Sequence, residues 1–305
     1  MTNISTCKDM ENNLARSIQP VLCSANTLNR IYGWYFLVGF VARIGRDGQP
    51  FWEITLSDST GILVIYCRDQ NCIVGNLQPL SWVQVEAQLD QHTVKTYFRC
   101  QYIEPVTSDS TFRLSLTGLP SLLCPKPAHL RRFVELANSL KHNELKVFLA
   151  DVILQPDVTI KYLTCPASLN YHHNYAGGLI EHSVDVAARL ASEHSMSQQQ
   201  RDIAVVAALL HDVGKTQTLT AELTRTAIGQ LVDHDDLTLE LCASALQKLQ
   251  STNNFFAHQL RHVWTCSSPG ARYGFKPKTQ VAKKLQLYDR VSAHSAQQNQ
   301  LNYSN

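Results

Sequence analysis

The hydrophobic pattern of this chain changes its period once, and that change constrains the fold more than any other feature. Between residues 31 and 106, apolar residues come in short runs rich in β-branched and aromatic side chains, punctuated by Gly, Asp and Ser. From Pro125 onward they recur at helical spacing, as in Leu130, Phe133, Val134, Leu136, Ala137 and Leu140. A chain of 305 residues is long enough to give each half its own core. A hydrophobic content of 44% excludes a disordered chain.

Five strands are expected in the first half. They are Tyr35 to Val41, Phe51 to Leu56, Ile62 to Cys67, Trp82 to Leu89 and Val94 to Ile103, with a less regular stretch, Asp69 to Leu80, after the third. Five short strands broken after the third follow the plan of an OB-fold, a small Greek-key barrel. The turn Leu56-Ser57-Asp58-Ser59-Thr60-Gly61-Ile62-Leu63 resembles the L-x-D-x-T-G-x-I turn of nucleic-acid-binding OB domains. Here Asp58 can close an Asx-turn, and Gly61 can take positive φ.

The prolines at 120, 125 and 127 mark 119–127 as a linker. Helices are expected near 178–194, 199–213, 234–250, 254–266 and 278–296. The division is therefore an N-terminal extension (1–30), an all-β OB-fold-like barrel (31–118), the linker, an all-α bundle (128–296) and a frayed polar tail (297–305).

Three motifs in the helical half carry ionisable side chains into apolar surroundings. Gly177-Gly178-Leu179-Ile180-Glu181-His182 opens one helix. His211-Asp212-Val213-Gly214-Lys215 ends a strongly apolar one, and Tyr288-Asp289-Arg290-Val291-Ser292-Ala293 lies on the last. Ionisable groups at the end of an apolar helix are costly without partners. A mixed His/Asp set suits a divalent ion of the Mn, Fe, Zn or Mg kind.

The order His…His-Asp…Asp in these contexts resembles the HD-domain superfamily of metal-dependent phosphohydrolases over roughly residues 125–296. The resemblance implies the metal ligands His182, His211, Asp212 and Asp289, for a divalent cation (Mn, Fe, Co, Ni, Zn or Mg). Lys215, one turn after His211, would meet a substrate phosphate. Gly214 would let the chain turn away from the metal. The stretch Pro166-Ala167-Ser168-Leu169-Asn170-Tyr171-His172-His173 is similar to two branches acting on nucleic acids. These are bacterial 3′-5′ exoribonucleases that join an OB-fold to an HD domain, and the HD domain of conjugative relaxases.

The exoribonuclease branch implies a second metal held in part by paired histidines. Ser267 and Ser268 stand where that pair is expected, so His234 and His262 become the candidates for its ligands. His172 or His173 would donate to phosphate or leaving group, and spacing does not choose between them. Asp185, three residues after His182, could orient an imidazole.

The net charge of +2 names no partner. Its distribution does: between Arg261 and Lys284 the basic residues Arg261, Arg272, Lys276, Lys278, Lys283 and Lys284 are uninterrupted by any acid, and Tyr273 and Phe275 interleave with them. Basic residues with aromatic rings suit single-stranded nucleic acid. On the barrel, Trp52 and Tyr66 are candidates for base stacking. The expected activity is divalent-metal phosphodiester hydrolysis, a 3′-5′ exonuclease on single-stranded RNA or DNA. The alternatives are a nucleotide phosphohydrolase, or a nucleic-acid-binding, relaxase-like mobile-element protein with a reduced site. Met1 to Leu14 is polar, and no apolar stretch approaches the ~20 residues of a membrane helix. Nine cysteines without a CxxC pair suit a reducing compartment, so a cytoplasmic protein with no membrane partner is expected.

Overall fold

A computed structural model describes residues 19–91, 96–107, 114–171, 173–267 and 274–303, without the side chains of 91 and 294–303. His172, Ser268, Arg272 and Tyr273, singled out above, lie outside the described residues. The chain divides into two compact units, Met1–Phe112 and Arg113–Asn305.

In the first unit, alternating side chains build β1 (Arg30–Ile44), β2 (Pro50–Ser57), β3 (Ile62–Cys67), β4 (Ser81–Gln91) and β5 (Thr96–Pro105). They close a barrel in the order β1-β2-β3-β5-β4, antiparallel except for the β3–β5 pair. The long β1 pairs with β4 through its first half and with β2 through its second, with an irregularity between Leu37 and Gly39. Such a bulge bends a strand enough to serve two neighbours. Ile31, Tyr35, Leu37, Ile54, Leu56, Ile65, Val85 and Phe98 fill the interior.

Asp58 organises the β2–β3 turn. Its buried carboxylate accepts the N–H groups of Thr60 (2.7 Å), Gly61 (2.9 Å) and Leu22 (2.8 Å) and the Thr60 hydroxyl (2.7 Å). The Leu22 bond ties a 3-10 turn, Leu22–Thr27, to the barrel, and Leu22 and Ala25 enter its core. Gly61 does not use the positive φ open to it; the carboxylate fixes its N–H.

In the second unit, Pro127 and Pro156 start α1 (Pro127–Ser139) and α3 (Pro156–Thr164), at positions where a missing N–H costs nothing. Between them runs α2 (Asn143–Ile153). Then come α4 (Gly178–Ala191), α5 (Gln198–Leu210), α6 (Lys215–Thr218), α7 (His234–Thr252), α8 (Asn254–Thr265) and α9 (Gln280–Tyr303). A capping box of Ser197 and Gln200 starts α5, which is buried from Asp202 to Leu210 and forms the centre of the bundle. Asp202 accepts the N–H groups of Lys141 and His142 and contacts the His142 ring, anchoring the start of α2.

Two boundaries need correction. The expected linker 119–127 is not free chain: 3-10 turns at Leu116–Gly118 and Ser121–Leu123 put Leu116, Leu119 and Cys124 into the helical core. The expected frayed tail continues α9 to Tyr303. No helix among the described residues is long and apolar enough to cross a membrane.

Candidate metal centre

Three elements deliver the titratable groups. His182 lies in the first turns of α4, His211 and Asp212 at the end of α5, and Asp289 midway along α9. Helix α9 is held against α4 by Glu193, whose carboxylate meets Lys284 Nζ and accepts the Tyr288 hydroxyl, each at 2.7 Å. Those bonds draw Glu193 well below the usual carboxylate range, the Lys284 bond first. Lys284, expected in the basic run, is therefore committed to the fold.

The four side chains converge. His182 Nε2 lies 3.3 Å from His211 Nε2, 3.1 Å from Asp289 Oδ1 and 3.8 Å from Asp212 Oδ2. His211 Nε2 lies 3.5 Å from Asp212 Oδ2 and 3.8 Å from Asp289 Oδ1. The cluster is closed behind and open in front: the His182 side chain is 1% exposed and that of Asp289 44%.

Both imidazoles are oriented from outside the cluster. His211 Nδ1 is 2.8 Å from the Ala208 carbonyl, which can only accept, so that nitrogen carries the proton and Nε2 faces inward. His182 Nδ1 is 3.2 Å from Ser292 Oγ. Ser292, rather than Asp185, orients this ring. The serine lies one turn beyond Asp289, so α9 supplies both a candidate ligand and the group that aims another.

Two facing imidazole nitrogens flanked by two carboxylates are satisfied by a shared proton or by a cation between them. Burial alone would lower the His211 pKa, but Asp212 and Asp289 outweigh it and hold it at about 9. Burial likewise opposes ionisation of Asp212, and His211, Lys215 and His234 hold its carboxyl well below the usual range. The donor set, borderline nitrogens with hard oxygens, fits a divalent metal.

Asp212 also gathers two cationic side chains. Lys215 Nζ is 2.6 Å from Oδ2, and His234 Nε2 is 3.3 Å from Oδ1. Burial would lower His234, yet Asp212 raises it. Asp233 and Asp235 flank it at 2.7 and 3.5 Å, a second group that could hold an ion. Gly214 makes this approach possible. It does not turn the chain away from the cluster: its φ is −59°, and a Cβ there would lie 2.0 Å from the His234 carbonyl oxygen. Its N–H donates to Thr238 Oγ1 on α7.

His173 is buried with φ +54°, its ring centroid 5.7 Å from that of His182. It bonds Tyr175, whose hydroxyl donates to Glu181, and Lys126 closes the chain at 2.8 Å from that carboxylate. His262 is not part of either cluster: its Nε2 accepts the Lys278 backbone N–H. Ser267 is held by Phe275, its N–H and hydroxyl both donating to that carbonyl.

Among the expected strand contacts, Lys276, Lys278, Lys283 and Phe275 are exposed, with Lys278 Nζ 5.1 Å from the Phe275 ring centre. On the barrel, Tyr66 faces outward in a row with Phe51 and Tyr97, at ring distances of 5.9 and 5.7 Å. They border a groove of about 410 Å³ that Arg68 and Arg99 also line. Trp52 needs correction. The alternation of β2 puts it on the inward face with Ile54 and Leu56, where it packs on the core and against Phe40.

Residues 179–294 match the family model of the HD domain. A dihydroneopterin 2′,3′-cyclic phosphate phosphodiesterase of Methanocaldococcus jannaschii is 33% identical over 100 residues, 28% of this chain and 40% of that protein. The 3′-5′ exoribonuclease YhaM of Bacillus subtilis is 20% identical over 264 residues, and that of Halalkalibacterium halodurans 22% over 278. Both alignments cover 85% of this chain and 82% of the relative. This chain thus spans less than half of the archaeal relative and most of the two bacterial ones.

Proposed function

We propose a divalent-metal-dependent phosphodiesterase that shortens single-stranded RNA or DNA from its 3′ end, a reading supported by the match of residues 179–294 to the HD-domain model and by an N-terminal closed barrel that fits an OB-fold. One observation carries this reading: His182, His211 and Asp289 lie close enough together to hold one ion, with Asp212 beside both imidazoles and Lys215 against Asp212. The names and coverage of the bacterial relatives support the choice of substrate.

A cation held by these four residues would supply Lewis-acid charge to a phosphodiester and lower the pKa of a water. Ser292 and the Ala208 carbonyl keep both imidazoles aimed at it. Lys215 offers its ammonium to the non-bridging phosphate oxygens, where negative charge grows during in-line attack. His173, whose ring lies beside that of His182, is our candidate for donating a proton to the departing oxygen. Asp289, the exposed member, borders the open side through which a strand end enters. The row of Phe51, Tyr66 and Tyr97 suits stacking of bases, and the exposed lysines 276, 278 and 283 suit backbone phosphates.

The test is digestion of a 5′-labelled single-stranded oligonucleotide with Mn²⁺ and with excess chelator. A ladder that shortens from the 3′ end, abolished by the chelator, is expected. Intact oligonucleotide beside hydrolysed free nucleotides or 2′,3′-cyclic phosphates would replace this reading with a small-molecule phosphohydrolase. The name of the archaeal relative favours that second reading.

A further inference from the structure

The loop before α4 and the hairpin after α6 enclose a cavity of about 260 Å³ that the proposed chemistry does not use. Its floor includes Lys215 and His234, both in contact with Asp212. One wall is the 167–171 segment with Asn170 and Tyr171; the other carries Arg225. The cavity is therefore linked to Asp212 through two of its lining side chains.

Neither wall is a loose arm. Arg225 pairs with Leu219 across a tight hairpin closed by Thr220–Thr224 bonds, with Leu223 at φ +60°. Its guanidinium donates to the Gly229 carbonyl at 2.8 Å, which fixes its direction and leaves further N–H donors for a ligand. A Cβ on Gly229 would lie 2.2 Å from the Thr218 carbonyl oxygen, so this segment is packed backbone to backbone. Opposite, the Tyr171 N–H donates to Ser168 Oγ at 3.0 Å, and the Tyr171 side chain makes no hydrogen bond or ring contact among the described residues. Tyr171 is 66% exposed.

We propose that this cavity seats the terminal nucleotide of the substrate, with the base on the Tyr171 ring and the phosphate directed toward Lys215 by Arg225. A planar ring, a fixed planar cation and a lysine on the ligand cluster match the base and phosphate of one nucleotide. The volume lies just below the ~300–1,000 Å³ of ordinary ligand pockets, which suits one nucleotide rather than a length of strand. Tyr171 and Arg225 are then specificity-determining residues. The nature of the ligand rests on the phosphodiesterase reading, but the test reads binding and not turnover.

The Mn²⁺-loaded full chain is titrated calorimetrically with adenosine 5′-monophosphate and with ribose 5-phosphate, which lacks the base. Tyr171→Ala is expected to weaken the nucleotide about tenfold and leave ribose 5-phosphate unchanged, while Tyr171→Phe stays near wild type. Arg225→Ala is expected to weaken both by a similar factor of about ten. The proposal is overturned if wild type does not bind the nucleotide, if either Ala variant binds it like wild type, or if Tyr171→Ala weakens both ligands equally. Binding as expected without oligonucleotide or cyclic-phosphate hydrolysis would overturn the phosphodiesterase reading alone.

Discussion

Asp58 in the barrel and Asp212 in the bundle are both buried carboxylates, and they solve the same problem in opposite ways. Asp58 is 1% exposed and is saturated by three backbone N–H groups and a hydroxyl, all within one turn and the segment it anchors. Those donors are fixed and can do nothing else. Asp212, 6% exposed, is balanced by Lys215, His211 and His234, whose charges can be exchanged for a metal or offered to a phosphate. A carboxylate held by backbone is architecture; one held by cationic side chains is a candidate chemical site.

Substituting each aspartate is the sharpest way to break that contrast. Asp212→Asn should cost at least ~100-fold in oligonucleotide hydrolysis, since on the proposed reading it removes a ligand, which exceeds the loss of a group that merely orients one. Metal content measured by mass spectrometry should fall with it, while the fold persists by circular dichroism. Asp58→Ala should do the reverse. It strands three N–H groups and should destabilise the barrel by about 2–4 kcal/mol in urea melts, with metal content unchanged. If Asp58→Ala lost the metal, the two aspartates would not be divided as argued.

A smaller effect is expected at Ser292, whose hydroxyl bonds His182. Ser292→Ala should weaken metal binding by roughly tenfold in a competition titration without moving the melting temperature of the metal-free protein. The smallest effect is a pH dependence. His211 is raised from 6.5 to about 9 by Asp212 and Asp289 against the opposing effect of burial. Its protonation thus stabilises the metal-free fold fully below pH 6.5, and that contribution is lost as pH rises through about 9. Melts of metal-free protein should decline across this window, and metal-loaded protein should not follow; parallel declines would show that His211 does not carry the effect.

Much of this was legible because period and burial coincide. Strict alternation outlined β4, and the unbroken apolar run Ile203–Leu210 reflects a helix buried on every side. The His and Asp residues that meet stand in motifs whose surroundings are too apolar for idle charges. What escaped depends on tertiary contact. Gly214 reads as a turn glycine until α7 is seen lying against it, and nothing local marks Ser292 as the partner of a ring 110 residues earlier. Trp52 and Tyr66 look alike in sequence; only the parity of their strands puts one inside the barrel and the other outside.

The Glu193 clasp has a consequence for the chain as it is being made. His182, His211 and Asp212 leave the ribosome long before α9, which alone brings Asp289 and Ser292. A nascent or prematurely ended polypeptide therefore carries three of the four converging side chains and no clasp to complete them. The last helix is therefore the piece that completes the cluster: until it packs, the two imidazoles lack the Asp289 carboxylate, and His182 lacks the hydroxyl that aims it.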